Sequence, residues 1–447
     1  MPREITVIGG GLAGCEAALA AARQGCRVVL WDMKPGELSP AHHNPRLGEL
    51  VCSNSLRSND PANAVGLLKL ELALLGSAVI AAALASKVPA GRALAVDREA
   101  FAAHLEGQLA AQPLITRRAG RVDQAPREGL TILATGPLTA PALAADLAAL
   151  TGAAALHFYD AIAPIVTAES VDPALSFWAN RWDDSPDGDY LNCPLTEEEY
   201  GAFYQALMAA DHVPLHDFEN PRFFEGCLPI EVMAERGPQT LAFGPLKPVG
   251  LPLPGSGRRA YAVVQLRRED PEGRLLNLVG FQTKLTHPSQ ERVFRLIPAL
   301  ARAEFVRLGS IHRNTFLEAP KVLRQGLVFT AAPHLLAAGQ LSGVEGYVES
   351  AAHGLLAGFN AARLARGQDL AVPPPTTALG GLISHLTNRE TPNFQPSNIN
   401  FGLLPPLGGK KIPKRERGGR YARRAMRDLA LWLPTVGLEP AFRLPSL

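Results

Sequence analysis

The chain has 447 residues, 47% hydrophobic and 19% charged, which is enough apolar content for a large core and enough length for two or three domains, so a disordered chain is excluded. Forty-four Lys and Arg against 42 Asp and Glu leave a net charge of +2, so any nucleic-acid partner must be held by a local basic patch. Five cysteines, odd in number and scattered, exclude a disulfide scaffold and fit a reducing, cytoplasmic setting; no metal is expected.

Met1 to Glu4 lead into an apolar strand with no signal-peptide cleavage region, and no apolar run reaches the ~18 residues of a membrane span. Leu67 to Leu84 comes nearest and is interrupted by Lys69, Glu71, Gly76 and Ser77. The first element reads as a buried strand, Ile5 to Ile8, running into Gly9-Gly10-Gly11-Leu12-Ala13-Gly14 and an Ala-rich helix to about Gln24, stopped by Gly25. Arg27 to Trp31 is a second strand ending at Asp32. In this βαβ unit, Gly9 permits a tight turn, Gly11 lets a pyrophosphate approach the helix N-terminus, Gly14 lets helix and strand pack closely, and Asp32 can bind ribose hydroxyls.

A third strand, Leu130 to Ala134, ends in Ala134-Thr135-Gly136. Far downstream, Leu335 to Gln340 reads as another buried strand, with Gly339 and Gln340 at its end, Gly343 and Gly346 after it, and a helix from about Tyr347 to Ala365. Between these anchors the chain is richer in Pro, aromatic and charged residues. The expected organisation is a first part of a dinucleotide-binding domain over 1–156, an inserted α+β domain over 157–312, and a closing part with a basic C-terminal segment over 313–447. The insertion is expected to hold strands at Tyr261 to Leu266 and Leu275 to Phe281 and a helix from Pro288 to Leu308. An early βαβ unit, a middle Ala-Thr-Gly strand, a large insertion and a late Ala-Gly-Gln strand form the layout of a glutathione-reductase-like, Rossmann-type α/β flavoprotein, so FAD is the expected cofactor.

Cys15 and Cys26 read as small buried hydrophobes, and Cys193 sits in an acid-rich stretch that would raise its thiol pKa. Two cysteines remain as candidates for chemistry. Cys52 lies in a polar loop, Gly48 to Ser58, with His42, His43, Arg46 and Arg57 in reach along the chain. Cys227 lies in a constrained turn, Phe223 to Glu231, flanked by Gly226 and Pro229. Near the C-terminus Lys410 to Arg424 is strongly basic, and Arg420, Arg423, Arg424 and Arg427 share one helical face, a candidate track for phosphates.

Gly9 to Gly14 with Asp32-Met33-Lys34-Pro35, the loop Leu50-Val51-Cys52-Ser53-Asn54-Ser55-Leu56, the turn Gly226-Cys227-Leu228-Pro229-Ile230-Glu231 and the run Ala338 to Tyr347 together resemble the TrmFO family, also known as Gid. These are the folate- and FAD-dependent tRNA (uracil-5-)-methyltransferases of bacteria, and the resemblance covers nearly the whole chain. It implies methylation of the uridine at position 54 in the T loop of tRNA, with 5,10-methylenetetrahydrofolate as carbon donor and NAD(P)H as reductant through FAD. It further implies Cys227 as the nucleophile that adds to carbon 6 of uracil, Cys52 as a second functional cysteine, and Tyr347 as an aromatic beside the flavin ring. Asp32 departs from many relatives, which carry Glu there; either acid can bind the ribose. The tRNA T-arm, folate and nicotinamide are the expected partners, with no obligate protein partner and no membrane.

The nearest rival is the related GidA (MnmG) enzyme of the tRNA wobble uridine, which shares the fingerprint but carries a longer helical C-terminal region for a GTPase partner. An FAD-dependent small-molecule oxidoreductase and a tRNA-binding protein with a structural flavin are the alternatives from other classes.

Overall fold

In the computed structural model of the chain, residues 4–153, 156–181, 188–214, 223, 228–390, 394–408 and 412–442 are described. Glu4–Ile8 forms a strand with Ile5, Val7 and Ile8 buried, as a strand covered on both faces requires. It pairs in parallel with Arg27–Asp32 on one side and Leu130–Leu133 on the other. Leu335–Ala337 then joins Leu130–Leu133, and Ile115–Ala119 joins Arg27–Asp32, giving five parallel strands. Leu323–Arg324 and Val328–Phe329 extend the sheet to seven by antiparallel pairing.

The helix Leu12–Arg23 and the closing helix Tyr347–Ala365 both lie against this sheet and against each other. Their close approach explains the small residues: a side chain at Gly354 or Gly358 would collide with the carbonyls of Ala13 and Ala17. Both helices have the extents expected from the sequence, to within a residue.

A second, six-stranded antiparallel sheet is built from Phe177–Ala179, Tyr190–Leu195, Ala262–Arg268, Leu275–Leu278, Ile165–Thr167 and Phe305–Arg307, in that order. It has its own core around Phe203, Leu266, Phe281 and Phe294. A ribbon of Leu156–Ala161 with Ile311–Phe316 runs at its root, where the chain leaves and re-enters the first sheet. The expected helix from Pro288 to Leu308 is shorter, His287–Phe294; Pro298 opens a single 3₁₀ turn instead, and Phe305–Arg307 becomes an edge strand. Proline has no N–H for the helical ladder and clashes with the preceding turn, so the apolar period beyond it could not be helical.

The Ala/Leu-rich stretch forms two helices, Ala64–Leu74 and Ala78–Ala85, bent by 108° at their junction; among the described residues no single helix is long and apolar enough to cross a membrane. The basic segment forms Lys414–Trp432, which buries Tyr421, Ala422, Ala425, Met426 and Leu429 and packs on Ala64–Leu74. Arg420, Arg423, Arg424 and Arg427 lie on the opposite face, as the 3.6-residue period requires.

Candidate functional site: a dinucleotide cradle joined to a half-buried thiol

The C-terminal ends of Glu4–Ile8, Leu130–Leu133 and Leu335–Ala337 open on one cavity of about 410 Å³, where ligands of open parallel sheets bind. Gly9, Gly10, Gly11, Leu12, Ala13, Asp32, Cys52, Gly339, Gln340 and Tyr347 all line it, so ten residues singled out from separate parts of the sequence meet in one place. Thr135 and Gly136 of the middle strand line it too.

The fingerprint glycines act in three different ways. Gly9 has φ +104° and a Cβ there would strike the Ala134 carbonyl; a Cβ on Gly14 would strike the Gly9 carbonyl, so Gly14 packs helix on strand and does not line the cavity. At Gly11 a Cβ would meet no protein atom within 4 Å and would project into open space. Such a cradle, beside first-turn amides that have no acceptor within their own helix, fits a pyrophosphate. Asp32 accepts from the amides of Gly10 and Lys34 at 2.5 and 2.8 Å, which aims its carboxylate at the cavity from the end of its strand. The residues present therefore fit FAD.

At the other end of the cavity lies Cys52. The backbone N–H of Cys52 and of Ser53 donate to Tyr347 Oη at 2.8 and 3.2 Å, and Cys52 Sγ is 2.9 Å from the same oxygen. With two amides donating to it, the phenol directs its own proton toward sulfur. Burial, and then the charge of Asp160, push the Cys52 thiol up to about 12, while the Tyr347 hydrogen bond pulls the other way. Burial and the neighbouring thiol also lift Tyr347 well above the usual phenol range. Cys52 is thus a neutral thiol at pH 7.

The basic surroundings expected for Cys52 are corrected by the structure. His42 binds Ser39, Arg46 pairs with Glu106 and Arg57 with Glu349. The guanidinium groups around the loop come instead from Arg98, Arg267 and Arg307. Arg98 donates to the Leu50 carbonyl and pairs with Glu269 at 2.6 Å; Arg267 holds Asn54 Oδ1 and Ser53 Oγ, each at 2.9 Å; Arg307 reaches the Val51 carbonyl at 3.3 Å. Two of the three lie on the second sheet, so the insertion positions the loop. Nothing in the local sequence of the loop points to them.

Cys15, Cys26 and Cys193 are buried, as expected of the first two. For Cys193 the cause of its raised pKa differs from the expectation: the thiol lies inside the strand Tyr190–Leu195 and burial, not acidic neighbours, pushes it up to about 12. Cys227 lies outside the described residues. The chain on either side is anchored near the cavity: Phe223 forms a backbone bridge with Tyr159, next to the cavity residue Asp160, and Ile230 N–H donates to the carbonyl of Gln282, also a cavity residue, at 2.7 Å.

The four arginines of the C-terminal helix do not line the cavity. Arg420 pairs with Glu416 at 3.1 Å and Arg427 with Asp428 at 2.9 Å, while Arg424 donates to the carbonyls of Pro405 and Pro406 and lies over the Tyr421 ring. Arg423 makes none of these contacts.

The seven-stranded sheet, the glycine cradle and the late strand with its closing helix define a glutathione-reductase-like FAD-binding protein. A family model described as "Glucose inhibited division protein A" matches residues 4–369. The protein named methylenetetrahydrofolate--tRNA-(uracil-5-)-methyltransferase TrmFO of Geobacter sulfurreducens is 57% identical over 436 residues, 98% of this chain and 100% of that protein. The one of the same name in Desulfotalea psychrophila is 55% identical over 96% of this chain and 97% of its own length. The chain belongs to the TrmFO family. Among solved structures, Aquifex aeolicus GidA superposes with a TM-score of 0.69 at 17% identity, covering 96% of this chain and 74% of that one, a likeness of fold.

Proposed function

We propose that the protein is a cytoplasmic methyltransferase that places a methyl group on carbon 5 of the uridine at position 54 in the T loop of tRNA, taking carbon from 5,10-methylenetetrahydrofolate and electrons from NAD(P)H through FAD. The observation that carries this reading is the meeting of the dinucleotide cradle and the Cys52 thiol in one cavity, in a chain 57% identical along its length to a protein of that name. Bound in this cradle, FAD would supply the electron pair for reducing a transferred methylene to methyl. The chain's own residues bind and orient: the Gly9 to Gly14 turn takes the pyrophosphate, Asp32 the ribose, and Gly339, Gln340 and Tyr347 border the rest of the cofactor.

Uracil is a weak nucleophile at carbon 5. A thiolate adding to carbon 6 turns it into an enolate that can attack a methylene carbon, and a cysteine does this readily near neutral pH. We assign that addition to Cys227. Cys52, held as a neutral thiol by burial, suits a supporting role near the flavin better than nucleophilic attack. The parts 1–156 and 313–447 form the FAD-binding domain and 157–312 the inserted domain that braces the Cys52 loop. The arginine face of Lys414–Trp432 follows the phosphates of the T-arm.

The test is direct. Purified protein, unmodified tRNA, methylenetetrahydrofolate and NAD(P)H should yield 5-methyluridine at one position, and a deletion strain should lack it in total tRNA until the gene is restored. Normal 5-methyluridine in the deletion strain would return the chain to the oxidoreductase alternative. With 5-fluorouridine-substituted tRNA, wild type and Cys52→Ala should form a complex that survives denaturing electrophoresis, and Cys227→Ala should not; the reverse pattern would move the nucleophile to Cys52.

A further inference from the structure

The cavity wall holds one more ionisable group whose placement calls for a task. Glu345 is 5% exposed and lines the cavity two residues before Tyr347. One side of its carboxyl is fixed, since Gln340 Nε2 donates to Oε2 at 2.7 Å. Its backbone is fixed as well: its N–H donates to the Ser397 carbonyl at 3.1 Å and its own carbonyl accepts from the Asn398 side chain. The second oxygen, Oε1, has no hydrogen-bond partner among the described residues and is not sealed away from the cavity.

The charges around it decide its state. Asp160 and Glu349 are the carboxylates that face it, Arg57 is the cation, and Cys52 lies within electrostatic reach. Arg57 is already paired with Glu349, whose carboxylate also accepts the Ile399 amide at 3.0 Å. A further negative charge beside two acids in a buried wall is unfavourable, so burial and then Asp160 raise Glu345 well above the usual carboxylate range. A carboxyl whose proton is held more firmly than an ordinary carboxylate's, with one oxygen free toward the cavity, is suited to give that proton up and take it back during a reaction. The Cys52 thiol, at about 12, is poorly suited to the same work.

We propose that Glu345 is a catalytic acid–base residue of the methyl transfer. Oε1–H gives its proton to a nitrogen of the folate co-substrate as a carbon–nitrogen bond breaks and the bonding pair stays on nitrogen. The carboxylate so formed then takes the proton from carbon 5 of the uracil adduct. The pair of that C–H bond forms a double bond to the transferred methylene as its remaining carbon–nitrogen bond breaks, that pair leaving on nitrogen, which takes a proton. Addition of the hydride equivalent that NAD(P)H would supply through FAD then turns the methylene to methyl, re-forms the 5,6 double bond and expels the thiolate from carbon 6. The proton that Glu345 gives in the first half returns to it in the second, and the hydride and the proton taken by the second nitrogen are those of NAD(P)H and H⁺ in the methyltransferase reading. This rests on the methyltransferase reading above.

Glu345→Gln keeps the side-chain shape and an acceptor for Gln340. It should purify with flavin and bind tRNA as wild type does, yet transfer methyl groups about 10²- to 10⁴-fold more slowly and release tritium from [5-³H]uridine tRNA equally slowly. Wild-type kcat should fall at high pH as Glu345 ionises, and the residual activity of the variant should lack that limb. An infrared carbonyl band of a protonated acid at neutral pH, present in wild type and absent from Glu345→Gln, reads the proton without any turnover. Should the Gln variant lose its flavin, Glu345→Asp should retain it and shift the alkaline limb. A Gln variant within tenfold of wild type with an unchanged pH profile, or no such infrared band in wild type, overturns the proposal. Wild type that makes no 5-methyluridine would instead sink the methyltransferase reading, and the infrared comparison would still report on Glu345.

Discussion

Cys52 and Tyr347, 295 residues apart in the chain, share a two-point contact: the phenol oxygen accepts the Cys52 amide at 2.8 Å and lies 2.9 Å from its sulfur. The loop after the first βαβ unit is thereby tied to the first residue of the closing helix. Tyr347→Phe removes the acceptor for two amides, each costing about 1–3 kcal/mol if left buried and unpaired. It also removes the hydrogen bond that lowers the Cys52 pKa. Denaturant unfolding should show the loss of stability, and alkylation of Cys52 with iodoacetamide should slow at a given pH. Faster alkylation in Tyr347→Phe would mean that the phenol shields the thiol and does not polarise it.

The glycine cradle makes a second expectation with an internal control. Gly11→Val should fold and unfold close to apo wild type yet purify without flavin, because a Cβ there meets no protein atom within 4 Å and the added side chain would fill the space the pyrophosphate needs. Gly14→Ala should damage the fold itself, since its Cβ would occupy the Gly9 carbonyl. Folded, fully flavinylated Gly11→Val would remove the pyrophosphate from this turn.

Affinity for tRNA should fall linearly on a log–log plot against salt, by about 0.9 units of slope per phosphate neutralised. Replacing Arg420, Arg423, Arg424 and Arg427 together by Ala should flatten that slope by up to about 3 to 4 units. Arg423→Ala should contribute most among single changes and Arg424→Ala least, because Arg424 is committed to two proline carbonyls. An unchanged slope in the quadruple variant would make this helix face a solvated surface.

Glu71 gives a stability test independent of catalysis. It is fully buried in Ala64–Leu74 and accepts the amides of Ala378 and Leu379, at 2.7 and 2.9 Å, at the start of the helix Ala378–Thr387. Burial lifts its carboxyl from 4.5 to about 7 against the pull of those amides. The folded state therefore holds a proton that the unfolded chain releases, and this contribution is complete below about pH 4.5 and lost as pH rises through about 7. Denaturation midpoints of Glu71→Gln should gain on wild type between about pH 5 and pH 8. A constant difference across that range would show that Glu71 is ionised throughout.

The first and last strands and helices of the parallel sheet were legible in the sequence because each is a local pattern: an apolar run for a strand buried on both faces, glycines where the chain turns or packs backbone to backbone, an apolar stripe of period 3.6. The helix expected to Leu308 failed where a local rule, the proline at position 298, outweighed an apolar period. Motif and chemistry also drew attention to Cys52, Tyr347 and Asp32, since each sits in a loop, at a helix start or at a strand end where a side chain can face a ligand.

What only the tertiary structure decided is the environment of those groups. Neighbours in sequence suggested that histidines and nearby arginines surround Cys52, whereas the groups that do so, Arg98, Arg267 and Arg307, arrive from a distant helix and from the second sheet. The ionisation of Cys52 and Glu345 follows from burial and from charges such as Asp160 that lie far off along the chain. Electrostatic interaction depends on distance in space and on the solvent excluded between charges, and neither is a property of a local stretch of sequence.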